Sequence, residues 1–307
     1  MKIAIIGTGR VGSSIAYTIV LKQLCQHLVI AGRNLDRARG DALDLQHSLA
    51  FYSRPIQIEA STNDCINDAD IIVIAASVDV GNQTILSRMQ LGEPNVAMFR
   101  DLIPTLAANN PNALLLIVTN PVDVMTYAAS KLSGFLPQRV VGIGTLVDSA
   151  RFRTLLSEEV HINPDDLRAY ILGEHGPNQF PILSSAEAGG ERIQDTPSRR
   201  ELFTQVINAG FEVFQLKGYT DRAIATATCM VIQAIVFDEN RTMPLVTRFD
   251  EWLGIKDNCF SIPVVVGRNG ISRHLHPDLN DEELANLQQT AQALKSAINL
   301  LIPDLKG

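Results

Sequence analysis

The most constraining feature of the sequence is an alternation, through its first half, of short apolar runs with longer amphipathic stretches. Parallel β-strands need long crossover connections, usually helices, and these helices cover both faces of the sheet. The alternation therefore favours a mostly parallel sheet with helices on both sides. We predict about six strands, from the apolar runs IAII (3–6), LVIA (28–31), IQIE (56–59), IIVIAA (71–76), LLLIV (114–118) and VVGIG (140–144).

The second half of the sequence has a different, α+β organisation. It predicts short strands together with a helix over 148–159, helices over 199–216 and 221–237, and a hairpin at Arg268-Asn269-Gly270. A closing helix is predicted behind Asn280, which forms a capping box with Glu283, and this helix ends before Pro303. We therefore expect two domains, an α/β domain over 1–145 and an α+β domain over 146–307.

Composition and charge exclude several classes of protein. The 307 residues include 26 basic and 33 acidic ones, without a lysine- or arginine-rich block, so we expect no nucleic-acid partner. No apolar run approaches the ~20 residues that span a bilayer, and the segment MKIAIIG is typical of a strand rather than a signal peptide. The cysteines have neither metal-ligand spacing nor the pattern of a small disulfide-bonded domain. We expect a cytoplasmic protein with reduced thiols, no membrane partner and no metal.

A glycine-rich segment, GTGRVG (7–12), follows the first predicted strand and leads into a helix. In this context its first glycine permits a tight turn, its second lets the backbone approach a diphosphate, and its third lets helix and strand pack closely. The following helix N-terminus favours phosphate. The alternative is an ordinary glycine-rich turn. The segment predicts a dinucleotide site in a doubly wound Rossmann sheet, with cofactor-binding residues Gly7, Gly9, Arg10, Val11 and Gly12.

The end of the second predicted strand bears on the choice of dinucleotide. An aspartate or glutamate about 20 residues beyond the glycine-rich segment normally accepts hydrogen bonds from the adenosine ribose. This chain has Gly32 there, followed by Arg33. Glycine leaves room for a 2′-phosphate and a guanidinium can bind it, so we predict NADP as the favoured cofactor. The alternative is NAD with weaker ribose binding and a solvated Arg33.

Three charged residues of the second half form a candidate catalytic group. Asp148 and Arg151 are three residues apart, so on a helix they share one side. His175 lies in the segment LGEHG (172–176). Hydride transfer to a 2-oxo acid needs a cation for the carboxylate, a proton donor for the carbonyl and a base that orients the donor. Arg151, His175 and Asp148 can supply these three functions.

The sequence resembles the lactate/malate dehydrogenase superfamily over essentially its whole length. The matching segments are GTGRVG (7–12), ALDLQH (42–47), TNPVD (119–123), GTLVDSARFR (144–153), LGEHG (172–176) and KGYT (217–220). The resemblance implies a Rossmann domain, an α+β substrate domain and a homodimer or homotetramer. It also implies roles for these residues: a proton relay of His175 and Asp148, a carboxylate clamp at Arg151, Asn120 near the nicotinamide ribose, and Thr220 and Ile224 in the pocket.

The resemblance also places a second catalytic arginine, Arg88, in a loop that closes over the substrate. Malate-type members carry another arginine just ahead of it, whereas the segment ASVDVGNQTILS (76–87) contains no basic residue. A dicarboxylate would therefore meet no counter-charge, and we predict a monocarboxylic substrate of the lactate or 2-hydroxyisocaproate type. Its side chain is expected near Val80, Asn82, Gln83 and Ile85.

Two alternative functions are consistent with the same fold. One is an NAD-dependent lactate or malate dehydrogenase. The other, from a different class, is a catalytically silent NADPH-binding protein, although such a protein would not need a proton relay.

Arg153 and Arg168 correspond to residues that bind a phosphorylated sugar in allosteric bacterial members; we interpret them as interface or surface charges.

Overall fold

The first half of the chain forms the parallel sheet that the apolar runs predict. The computed structural model describes residues 1–78 and 91–305. Its first six strands are β1 (Lys2–Ile6), β2 (His27–Ala31), β3 (Gln57–Ser61), β4 (Ile71–Ile74), β5 (Leu114–Ile117) and β6 (Val140–Gly142). They lie in the order β3-β2-β1-β4-β5-β6, and every neighbouring pair is parallel. This is the strand order of a Rossmann fold.

Helices cover this sheet, as parallel strands require. They are α1 (Arg10–Lys22), α2 (Leu35–Ser48), α3 (Gly92–Asn109) and α4 (Val122–Ser133). On α1, Ile15 and Ile19 are fully buried, as expected for an apolar stripe at helical spacing. Asn34 begins α2 by accepting a hydrogen bond from the Arg37 amide at 3.0 Å. Strand ends and helix N-termini thus meet at one edge of the sheet, where the candidate site lies.

The second half combines helices with antiparallel strands. Its elements are α5 (Leu146–Val160), β7 (Leu167–Gly173), β8 (Gln179–Ala188), β9 (Glu191–Arg192), α6 (Pro197–Lys217), α7 (Arg222–Val236), β10 (Arg241–Trp252), β11 (Ile255–Gly267), β12 (Gly270–His274) and α8 (Asp281–Leu301). The capping box of Asn280 and Glu283 is present at the start of α8. The closing helix and the hairpin between β11 and β12 are therefore confirmed.

The prediction of short strands in this half is wrong for β10 and β11. These strands have 12 and 13 residues and form a long antiparallel hairpin. Their turn consists of Leu253 and Gly254, both with positive φ. Hairpin turns with positive φ usually carry Asn-Gly or Asp-Gly, so a leucine gave no turn signal.

The same hairpin joins the two halves into one sheet. β10 pairs with β6 at Val246 and Gly142, and β11 pairs with β7 at Ser261 and Gly173. One large apolar core accordingly contains buried residues from both halves. Within the part of the chain described, no helix is long and apolar enough to cross a membrane.

Candidate functional site

The glycine-rich segment forms a tight turn between β1 and α1. A Cβ atom on Gly12 would lie 1.8 Å from the Gly7 carbonyl oxygen, so only glycine permits this packing. Gly7 has a φ of +116° and lies against the backbone of Ala75 and Ala76. A Cβ on Gly9, in contrast, would meet no atom within 4 Å. Open space therefore lies before the N-terminus of α1, where a diphosphate can approach backbone N–H groups.

A large cleft runs along this edge of the sheet. Its volume is about 1090 Å³, and it is lined by Gly7, Gly9, Arg10 and Val11, by Gly32 after β2 and by Ala76 after β4. Gly12 does not line it, because that glycine serves the packing of α1 against β1. A cleft of this size suits a dinucleotide better than a small metabolite.

Two arginines line one end of the cleft, and the carboxylate Asp64 lines the same cleft. Gly32 is buried, and the exposed Arg33 follows it directly. Arg37, in the first turn of α2, lines the same cleft. Asn63 lines it too, and its Oδ1 is buried without a hydrogen-bond donor from the described residues. The residues present therefore fit an adenosine ribose and a 2′-phosphate, with two guanidinium groups and one unused acceptor.

The structure brings Asp148, Arg151 and His175 together. His175 Nδ1 lies 2.6 Å from Asp148 Oδ2, and Arg151 Nη1 donates to Asp148 Oδ1 at 3.0 Å. The Asp148 side chain is only 3% exposed, whereas His175 and Arg151 are 14% and 24% exposed. A buried carboxylate thus holds an imidazole and a guanidinium that both reach a cavity. This arrangement can bind an anion and transfer a proton beside it.

Hydrogen bonds between α5 and β7 fix this geometry. Thr145 Oγ1 donates to the carbonyl of Ile171 at 2.5 Å, and the Ile171 amide donates to Ser149 Oγ at 2.9 Å. The first turn of α5, which carries Asp148, is therefore held beside the end of β7, which leads to His175. The helix macrodipole also favours a carboxylate in that first turn.

The sequence reasoning missed a second carboxylate at the site. Asp123 Oδ2 accepts a hydrogen bond from the His175 amide at 3.0 Å, and Asp123 is buried in the first turn of α4. Burial, together with the nearby Asp123, raises the pKa of the Cys259 thiol. The segment TNPVD contained Asp123, but nothing in it indicated a contact with His175.

A small cavity connects these charged groups to the large cleft. Its volume is about 110 Å³, and Asn120, Arg151, His175 and Ile224 line it. Val11 and Thr220 line both this cavity and the cleft. Apart from Gly12, the predicted cofactor and substrate residues that the structure describes line these two adjoining spaces. Arg88 and Asn82, which the sequence also predicts for the site, lie outside the described residues.

Arg153 and Arg168 lie away from the candidate site. Together with Asp165 and Arg241 they line a cavity of about 90 Å³. Burial lowers the pKa of Arg153, although Tyr170 and Asp165 partly offset this effect. The interpretation of Arg153 and Arg168 as interface or surface charges stays a prediction.

Comparison with known proteins identifies one family for both halves. Residues 1–142 match the lactate/malate dehydrogenase NAD binding domain, and residues 145–302 match the alpha/beta C-terminal domain of the same family. An L-lactate dehydrogenase from Salinibacter ruber is 35% identical over 304 residues, which cover 96% of each chain. One from Lacticaseibacillus casei is 37% identical over 306 residues, which cover 97% of this chain and 93% of the relative.

A solved structure agrees with these sequence matches. The lactate dehydrogenase from a Medee basin deep-sea metagenome library has a TM-score of 0.92 to this chain, at 30% identity, and the match covers 98% of both chains. The superfamily and the fold class predicted from the sequence are therefore confirmed. The chain belongs to the lactate/malate dehydrogenase family and is an NAD(P)-dependent L-2-hydroxyacid dehydrogenase.

Proposed function

We propose that this oxidoreductase transfers a hydride between NADP(H) and a small L-2-hydroxy or 2-oxo monocarboxylic acid, of the lactate or 2-hydroxyisocaproate type. The observation that carries the proposal is the contact of His175 and Arg151 with the same buried carboxylate, Asp148. The relatives compared above are called L-lactate dehydrogenases, which supports a substrate of this class.

In the proposed mechanism, Arg151 binds the substrate carboxylate. A guanidinium has five N–H donors, and the Nη1 group of Arg151 donates to Asp148, so a carboxylate can be bound by two others. Arg151 is partly exposed and lines the small cavity, which makes it accessible to a substrate. Asn120 and Thr220 line the same cavity and are proposed to orient the substrate and the nicotinamide ribose.

His175 is the proposed proton donor to the substrate carbonyl oxygen during reduction. Because Nδ1 contacts Asp148, the proton to be transferred resides on Nε2. The Asp148 carboxylate favours the charged imidazole and fixes its orientation, and it accepts no proton itself. In the oxidative direction His175 takes the hydroxyl proton. A nicotinamide held in the adjoining cleft would supply the hydride for reduction and take it up in oxidation.

Arg88 and Asn82 complete the proposed site, although both lie outside the described residues. By resemblance, Arg88 polarises the substrate carbonyl. We propose Asn82 as a contact of the substrate side chain. The absence of a basic residue in the segment 76–87 supports a monocarboxylate over malate or oxaloacetate.

We propose NADP as the preferred cofactor because the ribose end of the cleft lacks an acidic residue at position 32. Gly32 adds no negative charge there, and Arg33 and Arg37 line the cleft beside it. Two guanidinium groups favour a 2′-phosphate, whereas NAD would use neither of them fully.

We propose a second copy of this chain as the protein partner, in a homodimer or homotetramer. Helix α6 exposes apolar side chains that a monomer would normally bury: Phe211 is 64% exposed, and Phe214 and Leu216 are exposed as well. The family resemblance implies such an assembly.

We also propose the domain boundary between residues 145 and 146. We propose the cytoplasm as the location, since the four cysteines are free thiols.

The test is a measurement of initial rates with NADPH and NADH over a panel of 2-oxo acids. We expect a higher kcat/KM with NADPH, and a higher kcat/KM for pyruvate or 2-oxoisocaproate than for oxaloacetate. A preference for oxaloacetate would overturn the substrate assignment. Absence of turnover with every acid would favour a cofactor-binding protein without catalysis.

A further inference from the structure

Arg10 makes a contact that joins the two halves of the chain. Its guanidinium carbon lies 3.7 Å from the centroid of the Tyr219 ring. Arg10 is the first residue of α1, whereas Tyr219 belongs to the short connection between α6 and α7. Both residues line the large cleft. The Tyr219 ring, from the second half of the chain, therefore stabilises the Arg10 guanidinium, from the first half, at the wall of the cofactor cleft.

One further contact of Tyr219 and two contacts of its neighbour Asp221 fix this connection. Lys217 Nζ lies 4.1 Å from the ring centroid and forms an ion pair with Asp221 Oδ1 at 2.5 Å. Ser14, on α1, donates to Asp221 Oδ2 at 2.9 Å. Burial disfavours the charged form of Asp221, but the hydrogen bonds from Lys217 and Ser14 outweigh it and lower its pKa. The connection is thus fastened to α1 next to the glycine-rich segment.

Lys217 and Arg10 differ in whether a carboxylate neutralises their charge. The charge of Lys217 is balanced by Asp221. Arg10 forms an ion pair with no carboxylate of residues 1–78 and 91–305. Its charge therefore remains available to an anion in the cleft. The doubly charged diphosphate of a dinucleotide approaches the glycine-rich segment, so it is the anion nearest to Arg10 in a filled site.

We propose that Tyr219 is a positioning residue that holds the Arg10 guanidinium ready for the cofactor diphosphate. The proposal rests on the cofactor site described above, but it is independent of the choice between NADP and NAD. It also links cofactor binding to the substrate cavity, because Thr220, the next residue, lines both spaces. Neither the glycine-rich pattern nor the KGYT segment indicates this contact.

The experiment measures binding of two fragments to the intact protein by calorimetry. ADP-ribose contains the diphosphate without a 2′-phosphate, and adenosine 2′-monophosphate contains the 2′-phosphate without a diphosphate. Tyr219→Leu should weaken ADP-ribose binding about fivefold, the size expected for loss of one cation–π contact. It should leave binding of adenosine 2′-monophosphate unchanged. Tyr219→Phe, which keeps the ring, should retain the affinity of the wild type for both fragments.

A double-mutant cycle tests whether Tyr219 acts through Arg10. In an Arg10→Ala background, Tyr219→Leu should cause no further loss of ADP-ribose affinity. Arg10→Lys keeps the charge but not the planar group, and it should weaken ADP-ribose binding as Tyr219→Leu does. Tyr17→Leu is the matched control, since Tyr17 is a 51% exposed tyrosine on the same helix; it should have no effect.

Three results would overturn the proposal. The first is that the losses of ADP-ribose affinity from Arg10→Ala and Tyr219→Leu add in the double variant. The second is that Tyr219→Leu weakens the binding of both fragments equally. The third is that Tyr219→Leu leaves ADP-ribose binding unchanged. Thermal melting of each variant shows whether it is folded; if Tyr219→Leu were unfolded, Arg10→Lys and Tyr219→Phe would decide. Neither fragment contains nicotinamide or a 2-oxo acid, so failure of the proposed reaction leaves this measurement interpretable.

Discussion

Replacement of Gly32 by aspartate should move the cofactor preference from NADPH to NADH. The new carboxylate would accept hydrogen bonds from the ribose hydroxyls of NADH and repel the 2′-phosphate of NADPH. Gly32→Ala is the matched control, because both variants add a Cβ atom. That atom would lie 3.1 Å from Thr8 Cγ2 and 3.2 Å from Thr8 Oγ1, so Thr8 must shift slightly in both. Only aspartate adds charge.

The size of the effect follows from Coulomb's law. The site is partly open to solvent, so we take an effective dielectric constant of about 40; two unit charges about 5 Å apart then repel by roughly 1.7 kcal/mol. A phosphate monoester carries about 1.5 negative charges near neutral pH. The repulsion is therefore about 2.5 kcal/mol, which corresponds to roughly a 70-fold change in kcat/KM.

The assay compares initial rates of pyruvate reduction with NADPH and NADH for the wild type, Gly32→Ala and Gly32→Asp. The NADPH/NADH ratio of kcat/KM should stay within about threefold of the wild-type value in Gly32→Ala. In Gly32→Asp it should fall by roughly 70-fold relative to Gly32→Ala. If the wild type uses NADH at least as efficiently as NADPH, or if both variants give the same ratio, the reasoning from Gly32 and Arg33 is wrong.

Three more predictions concern the rest of the molecule. Asp148→Asn should lower kcat/KM for pyruvate reduction about a hundredfold or more, because His175 loses the charge that orients and stabilises its protonated form; steady-state kinetics that match the wild type would contradict this role. Phe211→Glu on α6 should dissociate the proposed assembly, and light scattering after gel filtration would show an unchanged mass if α6 is no interface. Burial raises the pKa of Cys25 and Cys229 to about 12, so at pH 8 only the exposed Cys65 should react rapidly with a thiol reagent, whereas all four cysteines should react after unfolding.

The sequence predicted those parts of the fold that depend on local pattern. Five of the six parallel strands follow from apolar runs whose residues are buried on both faces, whereas β3, at the edge of the sheet, has an exposed residue, Gln57. Helix α8 follows from its capping box. The length of strands β10 and β11 was not predicted, because the turn between them contains Leu253, a residue without turn preference.

The grouping of the charged residues at the candidate site was predictable from the sequence motifs. His175, Asp148 and Arg151 lie together as hydride transfer to a 2-oxo acid requires. The contact of Asp123 with the His175 amide could not be foreseen, since it joins a side chain to a backbone group 52 residues away. The stacking of Arg10 on Tyr219 has the same origin: it arises from tertiary packing and leaves no periodic signal in the sequence.

The single sheet described above determines how the molecule can respond to its ligands. Backbone hydrogen bonds connect β6 through β10 and β11 to β7, so a hinge opening between the halves would have to break them. The continuous sheet therefore fixes the distance between the dinucleotide cleft and the His175 imidazole. Any ligand-driven adjustment falls to side chains and to segments that run outside the strands.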